Sequence, residues 1–370
     1  MTKLTGSIVT PKGIFHGTIA FSNIIEDITT PSEPQNDIYV LPGFIDTHVH
    51  GGGGGDTMDG AEGIHTLANF HLQHGTTTLY PTTITNPWEN ILKALQGAKD
   101  ILAEKPDDLP SIPGVHLEGP FINPKRLGAQ PSFTLEPTPE RVKEVLEFNV
   151  IRLVTLAPEI PNALTAAKEF INNNVRVSVG HSAASYDNVQ TLAQTVQDHK
   201  GTLGFTHLYN AMGGLSGREP GVVGAAFSTL EGFAELIFDT HHVHAGSFLA
   251  ALSAKPNHLF LITDCIRAGG LPEGETELGG QKVTVKNGKA TLSDGTLAGS
   301  VLTLDVALKN ALVAGLPLEK ASQLLSATPA RYMGLEDRGS LAINKRADIV
   351  VLDKEMRVQE VYVAGKRLVG

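Results

Sequence analysis

Residues 41–55 read LPGFIDTHVHGGGGG. Residues 43–50 have the composition of a buried strand, and its polar end carries His48 and His50 in an H-x-H pattern. Strand side chains alternate faces, so the two imidazoles point one way and Val49 the other. Two imidazoles on one face at a strand end make half of a transition-metal site. The glycine run that follows lets backbone approach a ligand closely and adopt positive φ at little cost. On its own an H-x-H is equally compatible with two satisfied core histidines; the rest of the chain decides.

Working outward, apolar strand-like segments recur at residues 43–50, 77–81, 113–117, 151–156, 175–179, 203–206, 235–239 and 259–263. Helical patterns separate most of them, at residues 62–74, 88–104, 139–147, 162–173 and 186–198. Eight strands alternating with helices predict an α/β chain folded as a (β/α)8 TIM-like barrel. An open doubly wound sheet is the alternative, but no G-x-G-x-x-G follows the first strand. Residues 267–299 are Gly-rich, with a hairpin turn at Asn287-Gly288, and read as an insertion over one barrel face. Helices are expected again at residues 302–314 and 318–326. Both ends of the chain alternate apolar and polar residues, which predicts one small β-sandwich domain built from the two termini. The expected organisation is 1–41 and 337–370 in that domain, with 42–336 as the barrel.

The chemistry collects at strand ends. His48 and His50 end the first strand, Glu118 the third, His181 the fifth, His207 the sixth and Asp264 the eighth. In a barrel all parallel strands finish at one rim, where active sites sit, so these six residues converge. Taken singly, each is more often a cap or a core polar group; as a set they point to metal. His, Glu and Asp without thiolates favour zinc, iron, manganese or cobalt and leave no basis for an iron–sulfur cluster. Six ligands exceed a four-coordinate structural site and leave room for one or two divalent ions, with Glu118 between them. Asp264 then has the task of moving a proton. His116, two before Glu118, is expected behind the ligands and not among them. His241, His242 and His244 follow the seventh strand and are expected at the surface or in a further cluster. Arg218, in SGREPG, is either a phosphate clamp or a surface residue.

Composition narrows the partners. A net charge of −10 argues against nucleic acid, so an anionic ligand must be held by a local cluster. No run of about 18 apolar residues exists to span a membrane. The beginning of the chain lacks an apolar signal segment, and one cysteine, Cys265, fits a reducing compartment. A cytoplasmic protein is expected.

The motifs PGFIDTHVHG, HLEGPF, GHS, THLYNAM, GREPG, TDC and LAGS, in this order, resemble those of the N-acetylglucosamine-6-phosphate deacetylases of the amidohydrolase superfamily. PGFIDTHVHG and TDC mark the superfamily broadly; HLEGP with THLYNAM and GREPG is more specific. The resemblance implies that Glu118, His181 and His207 hold a metal present in all members. It implies that His48 and His50 add a second metal, and that Asp264 is the general acid/base. It further implies that Asn210, Ala211, Arg218 and His242 hold a sugar phosphate, with Leu297, Ala298 and Gly299 in a substrate-contacting loop. Ala129 and Gln130 fall beside the substrate by the same comparison. Gln130 stands where better-known relatives place a histidine near the substrate carbonyl; it can donate a hydrogen bond but cannot carry a proton. The implied reaction is hydrolysis of the acetamide of N-acetyl-D-glucosamine 6-phosphate by a homodimer with no membrane or nucleic-acid partner. Rival expectations are hydrolysis of an N-acyl amino acid, cyclic amide or dipeptide, and a non-catalytic sugar-phosphate sensor.

Overall fold

The computed structural model describes residues 1–30 and 38–370. Residues 31–37, within the N-terminal segment assigned to the terminal β unit, lie outside the described residues.

Eight parallel strands form the centre: β1 (Phe44–Val49), β2 (Thr76–Pro81), β3 (Val115–Glu118), β4 (Ile151–Leu156), β5 (Arg176–Val179), β6 (Leu203–Phe205), β7 (Phe233–Ile237) and β8 (Leu259–Ile262). Strands β3 to β8 pair in sequence order, and β1 pairs with β2. Main-chain bonds close both seams. Between β2 and β3, Ser111 N donates to Thr77 O at 2.8 Å and Thr83 N to His116 O at 3.0 Å. Between β8 and β1, Asp264 N donates to His48 O and His50 N to Cys265 O, each at 2.9 Å. The second seam is also tied by Asp46, whose carboxylate accepts the Thr263 hydroxyl at 2.6 Å. The result is the (β/α)8 barrel.

Each strand is followed by a helix: α1 (Ala61–Leu72), α2 (Trp88–Glu104), α3 (Pro139–Leu146), α4 (Ala163–Asn172), α5 (Tyr186–Asp198), α6 (Gly221–Ser228), α7 (Ala245–Ala254) and α8 (Leu304–Val313). Two more, α9 (Leu318–Leu325) and α10 (Ala327–Met333), follow. Helix starts obey local chemistry: Thr138 caps α3 ahead of Pro139, and Ser185 with Asn188 makes a capping box on α5. Helices α6, α7 and α10 escape periodicity reasoning. GVVGAAFS is buried on nearly every side, so α6 has no polar face to mark its period.

The chain ends build one seven-stranded sheet. Its central strand, Tyr39–Pro42, runs parallel to Thr2–Thr10 and antiparallel to Ile349–Leu352. Alternation divides its side chains between two cores. Val9, Leu41, Val350 and Leu352 pack with the barrel, whereas Ile8, Val40, Ile349 and Val351 form a core of the sheet's own. Tyr39–Pro42 runs directly into β1 through Gly43, where a Cβ would stand 2.1 Å from Thr77 Oγ1. Only glycine allows this passage between the two sheets.

The insertion after β8 is a three-stranded antiparallel sheet, Gly274–Leu278, Gln281–Lys286 and Lys289–Thr291. Its second turn places Asn287 and Gly288 at φ +52° and +70°, the left-handed pair that a two-residue hairpin turn requires. Its apolar face packs on Ile84, Ala129 and Ile266 at the rim. Gln281 donates to Ala129 O at 2.7 Å, and Arg267 joins Glu277 (2.9 Å) to Asp59 (3.1 Å). Among the described residues no helix is long and apolar enough to cross a membrane.

Candidate active site

The C-terminal ends of β1, β3, β5, β6 and β8 bring His48, His50, Glu118, His181, His207 and Asp264 together, all buried. Glu118 is the centre. Its Oε1 lies 3.1 Å from both His181 Nε2 and His207 Nε2, and its Oε2 lies 3.2 Å from His50 Nε2. Asp264 Oδ1 stands 3.1 Å from His50 Nε2 and 3.6 Å from His48 Nε2. Gln130 donates its amide to Glu118 Oε2 at 2.6 Å and accepts the Thr85 N–H at 2.7 Å.

The outer nitrogens decide what the inner ones offer. His50 Nδ1 faces Thr82 O at 3.2 Å, and His181 Nδ1 faces Arg126 O at 2.9 Å. A carbonyl only accepts, so in the neutral rings the proton sits on Nδ1 and Nε2 presents a bare lone pair. Yet His181 Nε2 is 3.0 Å from His207 Nε2, and His48 Nε2 is 3.3 Å from His50 Nε2. Lone pairs crowded this closely around a carboxylate repel unless cations lie among them. Two sets of three ligands share Glu118: His48 with His50, and His181 with His207. The donor set fits a pair of transition-metal ions with Glu118 between them.

Electrostatics supports this fit. Burial opposes charge on each group, but the mutual contacts prevail. The carboxylates of Asp264 and Glu118 hold His50 up at about 9, and Glu118 and Asp264 keep His48 well above the usual imidazole value. In return His48 and His50 bring Asp264 down to about 2, and His48 and His181 hold Glu118 well below the carboxylate range. Protons on His48 and His50 thus stand in for positive charge that the site demands, and a bound cation would displace them.

Three residues at strand ends have left-handed backbone: His181 (φ +47°), His207 (φ +32°) and Asp264 (φ +48°). Such positions cost on the order of 1–3 kcal/mol each for non-glycine residues and persist where the surroundings over-determine them. Here each turns a side chain off its strand into the common centre.

Above the cluster is a cavity of about 240 Å³. His50, Glu118, His181, His207 and Asp264 form its metal-facing side, while Gly128, Ala129, Gln130, Asn210, Ala211 and His242 form another. Leu278, Thr296, Leu297 and Gly299 of the insertion roof it.

The amidohydrolase family model matches residues 39–368. The chain belongs to the amidohydrolase family. It is 37% identical to an N-acetylglucosamine-6-phosphate deacetylase of Lysinibacillus sphaericus, over 89% of this chain and 85% of that relative. It is 35% identical to an N-acetylgalactosamine-6-phosphate deacetylase of Escherichia coli O157:H7, over 92% and 91%. The solved structure of an N-acetyl-D-glucosamine-6-phosphate deacetylase mutant of Mycobacterium smegmatis, in complex with N-acetyl-D-glucosamine-6-phosphate, matches with a TM-score of 0.91. That match is at 32% identity and covers 100% of this chain and 99% of the other.

In this amidohydrolase several expected residues lie elsewhere. Arg218 is exposed and does not line the cavity. Its loop is held by its own short-range bonds, Ser216 Oγ to Glu219 O at 2.7 Å and Gly221 N to the Glu219 carboxylate at 3.0 Å. Ala298 is buried behind Leu297 and Gly299, donating to Ala290 O at 3.0 Å. The glycines after His50 do not line the cavity. Gly51 packs on the Arg267 backbone and Gly52 on Phe70, where a Cβ would come within 2.5 and 2.4 Å. Of the three histidines after β7, only His242 lines the cavity, with Nδ1 2.7 Å from Asp239 Oδ2. His244 caps α7 and His241 is exposed. His116 lies beneath the ligands, its ring 4.6 Å from that of His48 and its Nε2 2.7 Å from Thr155 Oγ1.

Sequence reasoning overlooked Asp46, Thr85 and Glu235. Asp46 and Glu235 are fully buried acids inside apolar strands. A charged residue in an otherwise apolar strand is the signal that could have found them. The seventh strand begins two residues earlier than expected, which moves Glu235 from its start to its middle.

Proposed function

We propose that this chain hydrolyses the acetamide of N-acetyl-D-glucosamine 6-phosphate to D-glucosamine 6-phosphate and acetate. The observation that carries the reading is the arrangement of four histidines and Asp264 around Glu118 at the floor of a roofed cavity. The solved relative that carries this substrate supports the sugar phosphate as ligand.

His48, His50, Glu118, His181, His207 and Asp264 would hold one or two divalent ions of zinc, iron, manganese or cobalt. Such an ion supplies Lewis acidity to the acetamide carbonyl and to the attacking water. Asp264, ionised throughout the neutral range, accepts the proton that water gives up on attack. It then delivers that proton to the nitrogen as the C–N bond breaks, so the amine leaves neutral with acetic acid, which ionises to acetate by giving its own proton to solvent or to the amine. Ala129, Gln130, Asn210, Ala211, His242, Leu297 and Gly299 orient the sugar phosphate, with Ala298 supporting that loop from behind. Binding energy from the phosphate end then holds the amide in place for attack. His242, kept in the cavity wall by Asp239, is the side chain offered to the phosphate at that end; Arg218 reaches it only if its loop moves. The reading includes a cytoplasmic homodimer, which light scattering on the purified protein tests.

The epimeric substrate, N-acetyl-D-galactosamine 6-phosphate, is a second reading, favoured by the similarity to the Escherichia coli O157:H7 relative. Acetate release should be measured on both hexosamine phosphates, on unphosphorylated N-acetylglucosamine, and on an N-acyl amino acid. The proposal expects kcat/KM highest for the gluco phosphate. Preference for the galacto phosphate would transfer the assignment to the epimer, and turnover confined to the amino acid would end it.

A further inference from the structure

Glu235 stands inside the barrel in the middle of β7, wholly buried. A lone carboxylate there is costly to ionise unless its oxygens are matched by donors. Both are matched, and from one strand. Glu235 Oε1 accepts the Thr47 hydroxyl at 3.0 Å, and Oε2 lies 3.1 Å from His48 Nδ1. Thr47 and His48 are sequence neighbours and would face opposite ways in a regular strand. The β1–β2 register shifts between Asp46 and Val49, where two residues of β1, Thr47 and His48, oppose one of β2, Tyr80. This bulge turns both side chains toward Glu235.

We propose that Glu235 is a positioning residue for the second metal ion, acting through His48. The carboxylate holds the proton on Nδ1 and so presents the Nε2 lone pair to Glu118 and Asp264. The other nearby ligands whose outer nitrogen is bonded, His50 and His181, rest on neutral carbonyls. Only His48 leans on a carboxylate, and a negative partner makes an imidazole a stronger donor. Charge adds to this. Glu118 and Asp264 bring two negative charges to a site for two dications; Glu235 supplies a third directly beneath the His48 half. Its effect should therefore fall on the second ion and leave the ion on His181 and His207 in place.

A competing arrangement exists in the same residues. His48, His116 and Glu235 also bring ligand atoms within 4.8 Å of one another, a geometry that would suit an ion deep in the barrel. That site would need His48 Nδ1 free of its proton. His48 has one ring, and its Nε2 already faces Glu118 and Asp264, so Nδ1 is the nitrogen that carries hydrogen.

The proposal rests on the metal-site reading above, and the experiment separates the two. Chelator-stripped full-length protein is titrated with zinc against a chromophoric competitor, for wild type, Glu235→Gln and Glu235→Asp. Wild type should take two equivalents; one or none would overturn the dinuclear reading itself and this proposal with it. Glu235→Gln should bind the second equivalent about 10–100-fold more weakly, with the first unchanged, and Glu235→Asp should recover part of the loss. Two equivalents bound by Glu235→Gln as in wild type would overturn the positioning role alone. So would equal weakening of both, the mark of a merely structural residue. A variant that fails to fold does not protect the idea, because nitrogen-15 NMR of zinc-loaded wild type reads the His48 tautomer directly. The proton must be on Nδ1; a metal-bound or bare Nδ1 overturns the assignment in favour of the deep site.

Discussion

Gln130 donates its side-chain amide to Glu118 Oε2 across 2.6 Å while the Thr85 N–H holds its other end. A backbone N–H can only donate, so Gln130 Oε1 must face Thr85 and Nε2 must face Glu118. The carboxylate at the centre of the site is thereby oriented by a group that does not titrate. Gln130→Leu preserves much of the volume, loses both bonds and leaves the Thr85 N–H unsatisfied in a buried place. An unpaired buried group costs about 1–3 kcal/mol. The variant should melt earlier, bind metal more weakly and turn over more slowly. A variant equal to wild type in zinc affinity and rate would show that Glu118 needs no such support.

Asp264→Asn should remove the proton acceptor and keep most of the shape. General acid–base catalysis is worth about 10²–10⁴-fold; with both proton transfers on one residue, the loss should reach the top of that range. Substrate should still bind, because the cavity walls come from other loops. Metal content, substrate affinity and turnover measured on one preparation decide the matter. Near-normal turnover would refute the mechanism, and complete loss of metal would make Asp264 chiefly a ligand.

The paired change His48→Gln, His50→Asn should cost one metal equivalent and leave the other on Glu118, His181 and His207. Elemental analysis of protein purified in metal-supplemented medium, beside wild type, reads this directly. Loss of both ions would mean that the two halves do not bind independently.

His242→Ala should weaken the phosphorylated substrate selectively. A hydrogen bond to a charged partner is worth about 1.5–3 kcal/mol, roughly 10–150-fold in kcat/KM. The loss should be nearly absent for unphosphorylated N-acetylglucosamine. Equal losses on both sugars would assign His242, with its 2.7 Å contact to Asp239, to the architecture of the loop.

Lys255 predicts a stability change far from the site. Its Nζ donates to the carbonyls of Ala226 (3.1 Å) and Thr229 (2.6 Å), and burial brings it down to about 8, with Glu231 the only opposing charge. Between pH 8 and 10.5 the unfolded chain keeps this proton while the folded chain releases it. Stability contributed by this group therefore rises with pH across that window, by on the order of 3 kcal/mol at most. Chemical denaturation of wild type and Lys255→Met at pH 8 and pH 10 should show the rise in wild type only. The same slope in both would exclude Lys255 as its source.

Much of this molecule was legible in its sequence because the signals are local. Strand-like runs at regular intervals announce a barrel, and a barrel aligns strand ends, so His48, His50, Glu118, His181, His207 and Asp264 could be placed at one rim without coordinates. Three things depended on tertiary structure. Arg218 and the glycine run have the right composition for ligand contact, but loop closure, which is non-local, leaves one at the surface and packs the other on Arg267 and Phe70. The left-handed turns at His181, His207 and Asp264 fall on residue types that adopt them more often than most, yet still in a small minority of cases, so local propensity does not place them. The buried partners of the ligands, Glu235 beneath His48 and Thr85 behind Gln130, come from positions 187 and 45 residues away in the chain. A one-dimensional pattern records which side chains can bind a metal; which atoms hold those side chains in place is set by the packing of distant strands.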